Sequence, residues 1–166
     1  MLRRVTVFVL FAMALVGCDV YSFTGASIDP ALRTVAVENV RNTSGNGPGT
    51  VGETLTETLK QKMITATNLR SVDRDGDVTF SGEILQYRYS IQAPSGNQSS
   101  DLQRITMEVR VRMNDRVNPD ESWEQTFTQF IDYPVETDLA TAEEGFVQEL
   151  SDLLVEDIFN KAFVKW

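Results

Sequence analysis

The sequence predicts an α+β fold, a two-layer sandwich in which a mostly antiparallel four-stranded sheet packs against two amphipathic helices in the order β-α-β-β-β-α. Three observations carry this. Ile105, Met107, Val109, Val111 and Met113 alternate with Thr106, Glu108, Arg110 and Arg112, the pattern of a strand with one buried and one wet face. Val51, Leu55, Leu59 and Met63 recur every fourth residue, one apolar stripe of a helix. Phe146, Leu150, Leu153, Leu154, Ile158 and Ala162 describe a second such stripe near the end of the chain. Amphipathic helices and a one-sided sheet bury their apolar faces against each other.

The elements follow in order. Thr34 to Val40 is rich in β-branched residues and bounded by Pro30 and a polar loop, and reads as the first strand. Arg41 to Pro48, rich in Asn, Ser and Gly, is a loop. The first helix runs from about Thr50 to Thr67, with Asn68 as its stop. Val72 to Asp77 is a charged turn. Val78, Phe80, Gly82 and Ile84 then share one phase, and Leu85, Tyr87, Tyr89 and Ile91 the other, so a β-bulge or sharp bend is expected near Ile84. Ala93 to Asp101 is a connection. After the strand centred on Val109, Asn118-Pro119-Asp120 supplies a turn, and Trp123, Phe127, Ile131 and Tyr133 mark the last strand. Consecutive strands joined this way pair as an antiparallel meander. Thr141 and Glu144 have capping-box spacing at the start of the second helix. Gly145 in its first turn is unfavourable by about 1 kcal/mol relative to Ala.

Ahead of this domain lies a leader. Arg3 and Arg4 precede an apolar run, Val5 to Val16, broken only by Thr6. The run is too short to span a bilayer, which takes about 20 residues, and fits the core of a secretory signal. It ends in Leu15-Val16-Gly17-Cys18, which resembles the lipobox of bacterial lipoproteins. The resemblance implies diacylglyceryl transfer to the Cys18 thiol, cleavage after Gly17 and acylation of the new amine, so that several acyl chains hold one residue in the membrane. The expected organisation is a signal peptide over 1–17, a lipidated lead over 18–30 and one domain over 31–166.

Composition closes off much chemistry. The chain has 166 residues, no histidine and one cysteine. His-based triads and His-ligated metal sites are therefore excluded. With Cys18 lipidated, no thiolate nucleophile or disulfide remains. Without the two leader arginines, 13 Lys and Arg face 24 Asp and Glu, a formal charge of −11. Phosphate tracking along nucleic acid wants the opposite sign, so no nucleic-acid partner is expected. No cofactor and no metal are implied. Asp73-Arg74-Asp75-Gly76-Asp77 has the look of a calcium loop, but the sixth and twelfth positions counted from Asp73 hold Val78 and Ile84 where an EF-hand needs Gly and Glu. Glu143 and Glu144 are adjacent on a helix and face different directions, a poor catalytic pair. A hydrolase built on paired carboxylates finds no motif here.

Three stretches carry a family resemblance: Tyr21-Ser22-Phe23-Thr24-Gly25-Ala26-Ser27-Ile28, Gly52-Glu53-Thr54-Leu55 at the first helix, and Leu154-Val155-Glu156-Asp157-Ile158-Phe159-Asn160-Lys161-Ala162 at the end. Together with the order of elements, they resemble the LptE-like lipoproteins of the Bacteroidetes type over nearly the whole mature chain. The resemblance implies a non-enzymatic component of lipopolysaccharide transport at the outer membrane, facing the periplasm. Such proteins bind the LptD-type β-barrel, partly within its lumen, and assist its assembly and lipopolysaccharide insertion. Asp19 departs from this, because in enteric bacteria an aspartate at that place retains lipoproteins in the inner membrane; inner-membrane retention is the alternative location. The first strand, glycine-rich loop and first helix are also similar to envelope lipoproteins that activate peptidoglycan synthases or build secretion channels, the alternative function.

Two candidate surfaces remain. Arg104, Arg110 and Arg112 share the polar face of the clearest strand, with Glu108 between them and Arg88 on a neighbouring strand whose facing the bulge leaves open. They form either a guanidinium patch for lipopolysaccharide phosphates or acidic groups of the barrel, or an ordinary wet sheet face with Glu108 as counter-charge. Tyr87, Tyr89, Trp123, Phe127 and Tyr133 form either an aromatic binding surface or, as is commoner, core and cross-strand pairs.

Overall fold

A computed structural model describes residues 28–92 and 102–164. The leader, Cys18, Asp19 and the Tyr21-to-Ser27 stretch lie outside the described residues, as does the 93–101 connection. The elements are β1 (Thr34–Val37), β2 (Arg41–Asn42), α1 (Val51–Ala66), β3 (Arg70–Ser71), β4 (Val78–Gln92), β5 (Leu102–Asp115), a 3-10 turn (Pro119–Glu121), β6 (Trp123–Pro134) and α2 (Leu139–Phe163).

The α+β class and the two-layer arrangement hold. The sheet differs from expectation in strand number and mixture. It has six strands in the order β3-β1-β4-β5-β6, with β2 also on β4. The β4–β5–β6 meander is antiparallel, whereas β1 runs parallel to both β3 and β4, and β2 parallel to β4. The extra strands are two residues each, one inside the Asn/Gly loop and one in the turn after α1, too short to show a period. The parallel pairing follows from α1, which carries the chain back across the sheet between β1 and β4.

The expected bulge is present. Ile84 pairs with Val109, but Gln86 pairs with Glu108, leaving Leu85 as the extra residue. The phase flips there: Phe80 and Ile84 are buried before it, and Tyr87 after it. On β5 the odd residues from Ile105 to Asp115 are buried and the even ones face solvent.

The core lies between this face and the helices. Helix α1 contributes Val51, Leu55, Leu59 and Met63, as its period predicts. Helix α2 contributes Leu150, Leu154, Ile158 and Phe163, while Leu153 is 40% exposed and lies off the buried stripe. The start of α2 also differs from the capping-box reading. Asp138 is the N-cap; its side chain accepts from the Ala140 N–H at 3.2 Å and from the Thr141 hydroxyl at 2.8 Å. Thr141 lies inside the first turn. Helix α1 ends at Ala66 with Thr67 as its C-cap, one residue before Asn68.

Where β1 breaks off, α1 comes in close. A Cβ on Gly52 would lie 2.5 Å from the Val40 carbonyl oxygen, so only glycine fits there. At the other end, the Asp77 carboxylate ties β1 to β4. It accepts from the N–H groups of Arg33 and Thr34, both at 2.9 Å, and from the Thr34 hydroxyl at 2.8 Å.

Candidate functional site on the open sheet face

Because both helices cover one face, the other face of β4, β5 and β6 is open to solvent. Arg104, Arg110 and Arg112 project from alternate positions of β5 onto that face, as their spacing requires. Arg88 joins them: it sits opposite Thr106 beyond the bulge, is exposed, and makes no ion pair among the described residues.

The three β5 arginines are each paired across the sheet. Arg104 holds Asp132 in a two-pronged contact, Nε to Oδ1 at 2.6 Å and Nη2 to Oδ2 at 2.8 Å. Arg110 Nη1 meets Glu83 Oε1 at 2.7 Å. Arg112 Nε meets Glu124 Oε2 at 2.9 Å. In each case the partners stand directly opposite one another in the strand register. The counter-charges thus come from neighbouring strands, and none of these three ion pairs involves Glu108. Pairs of this kind on a water-facing sheet surface are screened and add little to stability. Arg104 also lies over Phe130, its guanidinium carbon 3.7 Å from the ring centre. Hydrogen bonding to Arg104 holds the Asp132 carboxyl below the usual aspartate range, and Asp132 in turn raises Arg104.

A groove of about 490 Å³ opens on this face, where the strand lane is interrupted between β1 and β2. Ser81 and Gly82 line it together with Arg41, Arg110 and Arg112 and the carboxylates Glu38, Glu83 and Glu124. An anion reaching Arg110 or Arg112 here would have to displace the carboxylate that each already holds. Elsewhere in the sheet, hydrogen bonds from Thr34 and Arg33 hold the Asp77 carboxyl below the usual aspartate range.

The aromatic residues divide. Tyr87, Phe127 and Tyr133 are buried. Trp123 packs edge-on against Phe80 and Phe127, with ring centres 6.5 and 5.9 Å apart, and Tyr133 lies 5.0 Å from Phe146. They belong to the core. Burial pushes the Tyr87 hydroxyl up to about 12. Tyr89 is exposed at the edge and donates its hydroxyl to Glu143 in the first part of α2, a contact no sequence pattern indicated.

The Asp73-to-Asp77 turn is engaged with the fold, the Asp75 carbonyl accepting from Arg116 Nη1 at 2.8 Å. Asp75 takes the left-handed conformation at φ 55°, and Asp77 is spent on β1. Among the described residues no group of three metal-ligating side chains comes together. None of the described helices is long and apolar enough to cross a membrane.

Residues 32–162 match the family model described as LptE, lipopolysaccharide-assembly. No curated protein matches the chain. Among solved structures, a minor lipoprotein from Acinetobacter baumannii aligns at a TM-score of 0.51 and 16% identity, over 78% of this chain and 91% of that one. A protein from Xanthomonas campestris aligns at 0.49 and 13%, over 80% and 87%. The Acinetobacter likeness is one of fold. The family match spans most of the chain, and its elements are the ones described above: the chain belongs to the LptE family of lipopolysaccharide-assembly proteins.

Proposed function

We propose that this protein is a non-enzymatic lipoprotein of lipopolysaccharide transport, anchored through Cys18 in the outer membrane and facing the periplasm, where it binds an LptD-type β-barrel and assists its assembly and the insertion of lipopolysaccharide. The observation that carries the reading is the family match over residues 32–162. Supporting it are the lipobox-like Leu15-Val16-Gly17-Cys18, a chemistry-poor composition with no histidine, and a two-layer fold that leaves one sheet face free for a partner. Inner-membrane retention through Asp19 is the competing location. In this reading Arg104, Arg110 and Arg112 are the contacts for lipopolysaccharide phosphates or acidic groups of the barrel, reached by exchange of their present carboxylate partners.

The test is affinity purification of the native lipidated protein from detergent-solubilised membranes. Recovery of a large β-barrel of the LptD type, with the bait in the outer-membrane fraction, is expected. Recovery of a peptidoglycan synthase or a homo-oligomeric ring in its place would overturn the reading.

A further inference from the structure

The lane beside β4 is filled for only part of its length. Val35, Ala36 and Val37 of β1 pair with Val78, Thr79 and Phe80, and Arg41 and Asn42 of β2 pair with Glu83 and Ile84. The last bond in the lane runs from the Thr43 N–H to the Ile84 carbonyl. An Asx-type turn then carries the chain away, with Asn42 Oδ1 accepting from the Ser44 N–H and hydroxyl. The Gly47 Cα then lies against the ring of Tyr87 and covers it. Beyond Tyr87, no described strand stands beside Arg88–Gln92 on the side away from β5.

The vacancy has a definite chemistry. The Phe80 and Ile84 carbonyls face the lane, accepting from Glu38 and Thr43, and both side chains lie on the helix face. Residues of one strand that share a face send their N–H and C=O to the same edge. Past the bulge the helix-face residues are Tyr87, Tyr89 and Ile91, so Tyr89 and Ile91 present their backbone groups to the lane that no described strand fills. Their side chains wall the lane, 39% and 77% exposed, with the Tyr89 ring presented here while its hydroxyl is held by Glu143. On the opposite face stands Arg88, which makes no ion pair among the described residues. This stretch contains no proline, lysine or bulge, the usual guards of an open edge.

We propose that the barrel partner adds an extended segment to this lane, pairing its backbone with Tyr89 and Ile91 and alternating apolar residues against their side chains with an acidic residue toward Arg88. The inference rests on the barrel-binding reading above and assigns its contact. An Ile91→Pro substitution removes one lane-facing N–H and leaves the β5-facing groups of Ser90 and Gln92 in place. Arg88→Glu reverses the charge on the exposed face.

Native lipidated wild type, Ile91→Pro and Arg88→Glu proteins are purified from detergent-solubilised membranes, and the co-purifying barrel is quantified. Thermal melting and light scattering accompany each. Barrel recovered with wild type, and lowered about tenfold by each variant at unchanged melting temperature, is expected. Should Ile91→Pro melt well below wild type, Arg88→Glu alone decides. Full barrel recovery by folded variants overturns the strand-addition contact and leaves barrel binding standing. Absence of barrel from the wild type overturns both. A wild-type dimer that Ile91→Pro abolishes would place a second copy in the lane and overturn the assignment to the barrel.

Discussion

The Thr56 hydroxyl accepts the backbone N–H of Val40 at 2.9 Å and donates to the Gly52 carbonyl at 2.7 Å. Val40 sits in the gap between β1 and β2, so its N–H has no strand partner there, and both residues are buried. One hydroxyl therefore closes the strand interruption beside the open-face groove. Thr56→Val keeps the shape and orphans a buried N–H, which costs about 1–3 kcal/mol. Denaturant titration should show that loss, with Thr56→Ser restoring most of it. Equal stability of Thr56→Val and wild type would contradict this bonding.

Two helical glycines should respond in opposite senses. A Cβ at Gly145 meets nothing within 4 Å, so Gly145→Ala should stabilise by about 0.5–1 kcal/mol through helix propensity. At Gly52 the same change sets a carbon 2.5 Å from a backbone oxygen and forces α1 away from Val40. Gly52→Ala should cost about 1–3 kcal/mol. Thermal melts of the two variants check both signs.

Asp77 links stability to acid. Hydrogen bonds from Thr34 and Arg33 lower its pKa below the ordinary 3.8. A depressed folded pKa gives stability that is fully present above the unfolded value and is lost as pH falls through the folded one. Wild type should therefore lose stability below pH 3.8 more steeply than Asp77→Asn. Asp132, lowered by Arg104, titrates in the same direction, so the variant should keep part of the slope. Urea midpoints measured from neutral pH into this acid range test it; parallel curves would contradict it.

The open-face arginines make a separable prediction. Arg110 and Arg112 lie outside the core, and their ion pairs are exposed. Reversing both to Glu should leave the protein folded by circular dichroism yet weaken lipopolysaccharide binding about tenfold, through loss of phosphate forks. Unchanged binding in titrations with purified lipopolysaccharide would remove these residues from the site.

Legibility in the sequence followed element length. Long periodic elements were readable: α1, β5, and the bulge in β4, because burial on one face imposes a period and a slip in it shows. Strands β2 and β3 were not, since two residues carry no period and their pairing depends on β4 and β1 beside them. Asp138 competed with Thr141 for the same cap, and only backbone geometry decides between residues three apart. For the candidate site, the spacing placed Arg104, Arg110 and Arg112 on one face. Their partners Asp132, Glu83 and Glu124 required the strand registers, one of them running past a bulge. The lane beside Arg88–Gln92, unfilled among the described residues, was invisible for the same reason: it is set by where β2 turns away.

The measurement that most directly tests the account is the surface arrival of newly made lipopolysaccharide after depletion of this protein in its own cells. If the chain serves lipopolysaccharide assembly, the surface-accessible fraction of pulse-labelled lipopolysaccharide should fall as the protein is depleted, and re-expression should restore it. Undiminished surface arrival in fully depleted cells would contradict the central claim.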